Sequence, residues 1–148
     1  MHRWKNRSRE FILPARSLTK QKLKNTEYAE KVLEKREFTF FSPMRHKVDA
    51  KPGTMEWSDQ IFAMDKDEIH NADAVVALYY GGYSDSGTAW ECGYAAAIGK
   101  PVILVHADRE SNANVMLISG STTNIYLEDL ETYDFETLPA YGYQGKMF

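Results

Sequence analysis

The chain lacks most of the features that mark specialised classes of protein. Of its 148 residues one is cysteine, Cys92, so an internal disulfide is excluded. The four histidines, His2, His46, His70 and His106, are scattered. No histidine or cysteine spacing fits a metal site, and no metal is expected. No apolar run approaches the roughly 20 residues of a membrane span, and the first residues lack the apolar core of a signal peptide. No membrane partner and a cytoplasmic location are the expectations. Neither phosphate-cradling signature occurs: there is no G-x-x-x-x-G-K-[ST], and no G-x-G-x-x-G follows a strand. A formal charge of −3 is too small to argue for a nucleic-acid partner. The charge is uneven, with Arg3, Lys5, Arg7, Arg9, Arg16, Lys20, Lys22 and Lys24 set against one acid, Glu10. Aromatic interleaving there is limited to Trp4, so residues 1–8 read as a solvated, disordered basic arm.

What remains, 43% hydrophobic and 26% charged, suffices for one core, and residues 9–148 are expected to form a single domain. Glu10 to Leu13 reads as a first strand ended by Pro14. Residues 19–36 are helix formers, with Leu23, Tyr28, Val32 and Leu33 approximating one face. Phe38 to Phe41 is a second strand stopped by Ser42 and Pro43, and Met44 to Thr54 is a polar loop placed where a lid or substrate loop would lie. A helix is expected from Glu56 to Asn71, with Trp57, Ile61, Phe62, Met64 and Ile69 as its apolar face and Asp65 interrupting it.

The most informative stretch follows. Asp73 opens an apolar run, Ala74 to Tyr80, too short for an amphipathic helix and suited to a strand buried on both faces. Gly81 and Gly82 break it, a loop carries Ser84, Asp85 and Ser86, and Gly87 leads into a helix. Glu91 is then expected near a helix N-terminus, where the dipole favours an ionised carboxylate, and Gly87 leaves room for a ligand. Pro101 to Val105 is the next strand, Asn114 to Ile118 a short helical turn ended by Gly120, and Ile125 to Leu127 a fifth strand. The tail from Glu128 has no clear period and should wrap the surface. Strands alternating with helices imply an α/β fold, a three-layer flavodoxin-like sheet of five parallel strands with its crevice at their carboxyl ends.

Asp85 and Glu91 straddle a helix start and could serve as a carboxylate pair for glycosyl chemistry, one attacking the anomeric carbon. Spacing leaves a second reading open, in which Asp85 caps the helix and Glu91 lies on its wet face. Cys92 and Asp73 read as structural, while Tyr79, Tyr80, Tyr83 and Trp90 suit either core packing or stacking on a base.

Tyr83-Ser84-Asp85-Ser86-Gly87-Thr88-Ala89-Trp90-Glu91-Cys92-Gly93, followed by Gly99-Lys100-Pro101-Val102, resembles the signature of the nucleoside 2-deoxyribosyltransferases. The similarity extends back through Phe41-Ser42-Pro43, Glu56-Trp57 and Asp65, and onward through Asn114-Val115-Met116 to Tyr133-Asp134-Phe135-Glu136-Thr137-Leu138-Pro139. The resemblance implies transfer of 2-deoxyribose between purine or pyrimidine bases through a covalent sugar–enzyme intermediate, with no cofactor. It implies that Glu91 is the nucleophile, that Asp65 handles the proton of the departing and arriving bases, and that Asp85 hydrogen-bonds sugar hydroxyls. It further implies a homo-oligomer with shared sites, to which a neighbouring subunit gives Asn114 on the sugar's 5′ side and Met116 beside the base. The terminal carboxylate of Phe148 matches a group that reaches into the site. Two positions depart from the pattern: Ile12 stands where the family has a tyrosine, and Arg45, His46 or Lys47 where some members use a glutamine. Competing readings are an N-glycosidase acting on nucleosides or their 5′-monophosphates, and a nucleoside-binding homologue that has lost catalysis.

Overall fold

A computed structural model describes residues 10–14, 19–83 and 86–148. The expected basic arm, residues 1–8, lies outside the described residues. The chain runs β1 (Glu10–Ile12), α1 (Lys20–Lys35), β2 (Thr39–Phe41), α2 (Met55–Asn71), β3 (Ala74–Tyr79), α3 (Ser86–Ala97), β4 (Val102–His106), α4 (Val115–Gly120) and β5 (Thr123–Tyr126). The strands form one parallel sheet in the order β2-β1-β3-β4-β5, as the alternation of elements predicts. Among the described residues no helix is long and apolar enough to cross a membrane.

Because successive strand side chains point to opposite faces, the apolar runs feed two cores at once. Phe11, Ala74, Val76, Leu78, Ile103 and Val105 pack with Ala29, Val32 and Leu33 of α1 on one face. Ile12, Val75, Ala77, Tyr79, Val102 and Leu104 pack with Ile69 of α2, Cys92 and Ala95 of α3 and Ile118 of α4 on the other. The tail does more than wrap the surface. It delivers Tyr133 and Phe135 to the first core and Tyr143 to the second, after a 3-10 turn over Leu127–Glu131. That turn takes Leu127 out of the expected fifth strand, which starts instead at Thr123.

Helix ends follow local chemistry. Thr19, Thr54 and Asn114 cap α1, α2 and α4, their side-chain oxygens accepting from Lys22, Trp57 and Met116 N–H. At the other end of α1, Phe38 N–H donates to Leu33 and Glu37 N–H to Glu34, the paired bonds of a helix terminus whose turning residue adopts positive φ. Glu37 occupies that place at φ 64°. The apolar arc expected of α2 is wider than its buried stripe: Ile69 is buried, but Phe62 is 49% exposed because it turns sideways to meet Trp90 of α3. Leu23 of α1 is likewise exposed, and Ala29 takes the inward place.

Candidate active site

The chain leaves β1 for one face of the sheet and β3 for the other, since α1 and α3 pack on opposite cores. That divergence opens a crevice at the carboxyl ends of β1 and β3. Thr88 of α3 reaches across it to Pro14 beyond β1, donating its hydroxyl to the carbonyl at 3.5 Å.

Asp65 and Glu91 lie on neighbouring helices. Ring contacts of Phe62 with Trp90 and of His70 with Tyr94 show α2 and α3 running side by side in the same direction. Asp65 is three residues past Phe62 and Glu91 one past Trp90, so each lies within about one helical turn of that contact. Both are buried, 6% and 9% exposed, Asp65 one turn before the buried Ile69 and Glu91 one turn before the buried Ala95. Buried carboxylates demand polar partners, and two of them on neighbouring helices make a candidate site for acid–base or nucleophilic chemistry. Glu91 is deeper in its helix than expected. With α3 starting at Ser86 it is the sixth residue, past the free N–H groups of the first turn, so the helix terminus favours its charge less than a first-turn position would. Gly87 is the second residue of α3 and exposed; Asp85 lies outside the described residues. Ile12 is fully buried at the end of β1, between Phe41 and Val75 in register, and adds packing where a tyrosine would bring a hydroxyl.

Asn114, Met116 and Phe148 form a second group. Asn114 caps α4, Met116 is 79% exposed, and the last residues run beside them, Val115 N–H donating to the Phe148 carbonyl and Phe148 N–H to Ala113, both at 2.9 Å. Asn114 and Met116 face Ala89, Cys92 and Gly93 across a groove of about 370 Å³ between α3 and α4. Glu91 is not on that wall. Within one chain the carboxylates and this second group are therefore on different sides of α3.

The loop after β2 is pinned rather than loose at its start. Arg45 donates its Nε–H to Oε2 of the buried Glu30 of α1 at 2.7 Å and sets Nη2 2.7 Å from the same oxygen in an ion pair, and Ser42 donates to the carboxylate's other oxygen at 3.3 Å. Phe41 stacks on the His46 ring with centroids 4.2 Å apart, and His46 Nδ1–H donates to the Ser42 carbonyl at 3.0 Å. Arg45 is thus paired with Glu30 and His46 with Phe41 and Ser42, while Lys47 is exposed.

A polar cluster formed by the ends of β3 and β4 with Asn124 of β5 had no counterpart in the reading of the sequence. His106, 4% exposed, donates Nε2–H to Asn124 Oδ1 at 2.9 Å, and burial holds its pKa below the ordinary 6.5. The Asn124 amide donates to the carbonyls of Ile118 and Tyr141 at 3.1 and 3.2 Å. Tyr143 stacks on the His106 ring with centroids 4.0 Å apart. The available signal was that His106 and Asn124 interrupt apolar strands, since buried polar side chains demand partners.

The family model for nucleoside 2-deoxyribosyltransferases matches residues 15–137. A nucleoside deoxyribosyltransferase of Limosilactobacillus fermentum is 30% identical over 109 residues, 68% of this chain and 62% of that protein, so the match spans under two thirds of the relative's length. One from Lactobacillus johnsonii is 30% identical over 108 residues, 69% of this chain and 72% of the relative. Among solved structures, a 2-deoxyribosyltransferase from the psychrotolerant Bacillus psychrosaccharolyticus superposes with TM-score 0.82 at 31% identity, covering 91% of this chain and 99% of that one. A CMP N-glycosidase of Clostridium botulinum superposes with TM-score 0.63 at 26% identity, covering 85% and 100%.

Proposed function

Because the chain belongs to the nucleoside 2-deoxyribosyltransferase family, we propose that it exchanges the base of a 2-deoxyribonucleoside, a step of nucleoside salvage, with no cofactor. The observation that supports this reading is the burial of two carboxylates, Asp65 and Glu91, on neighbouring helices. A Glu91 carboxylate oxygen attacks C1′, the bond from C1′ to the base nitrogen breaks with its electron pair on the base, and Asp65 supplies the proton that nitrogen takes up. A second base then attacks C1′ of the glycosyl ester, Asp65 accepts its proton, and the Glu91 carboxylate is released.

Asn114 spends its side-chain oxygen on the α4 cap, which leaves the amide NH₂ to donate to a sugar oxygen. That group and Glu91 lie on different sides of α3, which supports a homo-oligomer in which Asn114, Met116 and Phe148 complete a neighbour's site. Asp85 hydrogen-bonds the sugar in this reading. It disfavours a 5′-phosphate, because two like charges about 4 Å apart repel by on the order of 4 kcal/mol at a surface dielectric.

The likeness to the CMP N-glycosidase motivates one alternative, hydrolysis of a nucleoside or its 5′-monophosphate. Incubation with deoxyinosine and adenine, with deoxyinosine and water alone, and with deoxyinosine 5′-monophosphate separates the two. Deoxyadenosine appearing only in the first mixture supports transfer. Free hypoxanthine accumulating at equal rates in all three overturns it in favour of a hydrolase.

A further inference from the structure

We propose that Tyr79 and His106 are positioning residues, which hold Asn114, Met116 and Phe148 in register with the loop that leads to Glu91. The proposal rests on the preceding reading in one respect, that Asn114 and Met116 touch the substrate.

Tyr79 ends a strand that is otherwise aliphatic, and its ring is buried in the second core. A phenylalanine would pack as well; the hydroxyl needs its own explanation, since a buried Tyr O–H is retained for a partner. Its partner is the backbone of Asn114, whose N–H donates to the Tyr79 oxygen at 2.7 Å. The same strand end runs into Gly81, at φ +63°, where a Cβ would stand 2.4 Å from the Asn112 carbonyl oxygen and 2.7 Å from Ser111 Cβ. Gly82 N–H donates to that carbonyl at 3.1 Å. The loop after β3, which continues into α3 and Glu91, is thereby fastened to the loop after β4, which continues into Asn114 and Met116. Only a residue without a side chain permits the closest of these approaches.

His106 is the neighbour of Tyr79 across the β3–β4 register, its ring set edge-on to the Tyr79 ring with centroids 5.7 Å apart. The orientation of the Asn124 amide is set by its two carbonyl acceptors, so its oxygen faces His106 and the histidine proton resides on Nε2. Through Asn124 and the Tyr143 stack, His106 grips the last segment of the chain. Tyr141 is held by three bonds, its N–H donating to Thr123 Oγ1 and its carbonyl accepting from Asn124 N–H and the Asn124 amide. A few residues on, that segment lies beside Ala113 and Val115 and presents Phe148. An aliphatic trio at these strand ends would pack without any demand for partners. A hydrogen-bonded polar set favours one arrangement of α4 and the tail, which is what positioning requires.

Tyr79→Phe isolates the hydroxyl, leaving the ring and its packing in place. The expected result is faster amide hydrogen exchange at Asn114, a KM for the deoxyribonucleoside raised roughly tenfold and a kcat within about threefold of wild type, because contacts remote from C1′ bind ground and transition states alike. His106→Phe keeps the stack and removes the donor; it should raise KM similarly and quicken exchange at Ala113, Val115 and Phe148. His106→Gln returns an N–H and should recover part of the KM. Thermal melting shows that each variant is folded at the assay temperature. A folded Tyr79→Phe protein with wild-type KM overturns the proposal, whether exchange at Asn114 changes or not, and so does a variant that loses kcat at constant KM. A wild-type protein that turns over no nucleoside overturns the parent reading instead, so the two failures are told apart.

Discussion

The two groups of candidate site residues are held by opposite means. Asp65 and Glu91 each ride on a single helix, and ring contacts of Phe62 with Trp90 and of His70 with Tyr94 tie the two helices together. Asn114, Met116 and Phe148 depend on segments far apart in the chain: β3 reaches Asn114 through Tyr79, β5 reaches the tail through Asn124, and the tail returns to Ala113. The first arrangement withstands change in its reactive side chains, because the helices persist without them. The second should lose geometry whenever one of its supporting side chains is removed. Activity and stability should therefore separate at the carboxylates and travel together at the strand ends.

The sharpest test is Glu91→Gln. It keeps the shape of the side chain and removes the proposed nucleophile, so turnover should fall by at least about 10³-fold in a protein that still folds. A folded variant that keeps a tenth of the activity would break the comparison at its strongest point. Asp65→Asn should cost about 10²–10⁴-fold with ordinary nucleosides and much less with those whose base leaves readily unprotonated. Equal losses for both substrates would remove the general-acid role.

The smaller effect belongs to the strand ends and is read in stability. Burial lowers the pKa of His106 in the folded protein below its ordinary 6.5, so at mildly acidic pH the unfolded chain binds the proton more readily. The contribution of the neutral ring is present above about pH 6.5 and is lost as pH falls from there toward the folded pKa. Urea denaturation between pH 7 and 5 should show stability declining, with a shallower decline in His106→Phe. Parallel declines would show that other groups govern this range.

The legibility of the sequence divides along the same line. The buried run from Ala74 to Tyr79 and the alternation of strands with helices made the parallel sheet readable, because burial on both faces leaves a local pattern. Asp65 could be noticed because it interrupts the apolar face of its helix, whereas spacing alone left Glu91 open to a place on the wet face, and the resemblance of the stretch over residues 83–93 is what pointed to it. The role of Tyr79 was not readable in the same way, since a tyrosine in a core strand looks like packing until its hydroxyl partner is known. The tail escaped for a related reason. Tyr133, Phe135 and Tyr143 are buried in two different cores by irregular backbone, and irregular backbone has no period to detect. The wide arc of α2 misled because Phe62 is apolar for the sake of Trp90 rather than the core.

The turn that ends α1 offers a route to a hardier catalyst. Glu37 holds a backbone conformation that costs a side-chain-bearing residue on the order of 1 kcal/mol, and glycine adopts it freely. The position is remote from α2, α3 and α4, and natural selection keeps a protein only as stable as its work requires. Glu37→Gly should raise the melting temperature by roughly 2–4 °C, as expected for about 1 kcal/mol in a domain of this size, with the rate of base exchange unaltered. A fall in melting temperature would mean that the Glu37 side chain contributes more than its backbone costs. A gain would give a more durable background in which weakened variants of Tyr79 and His106 could be assayed without loss of fold.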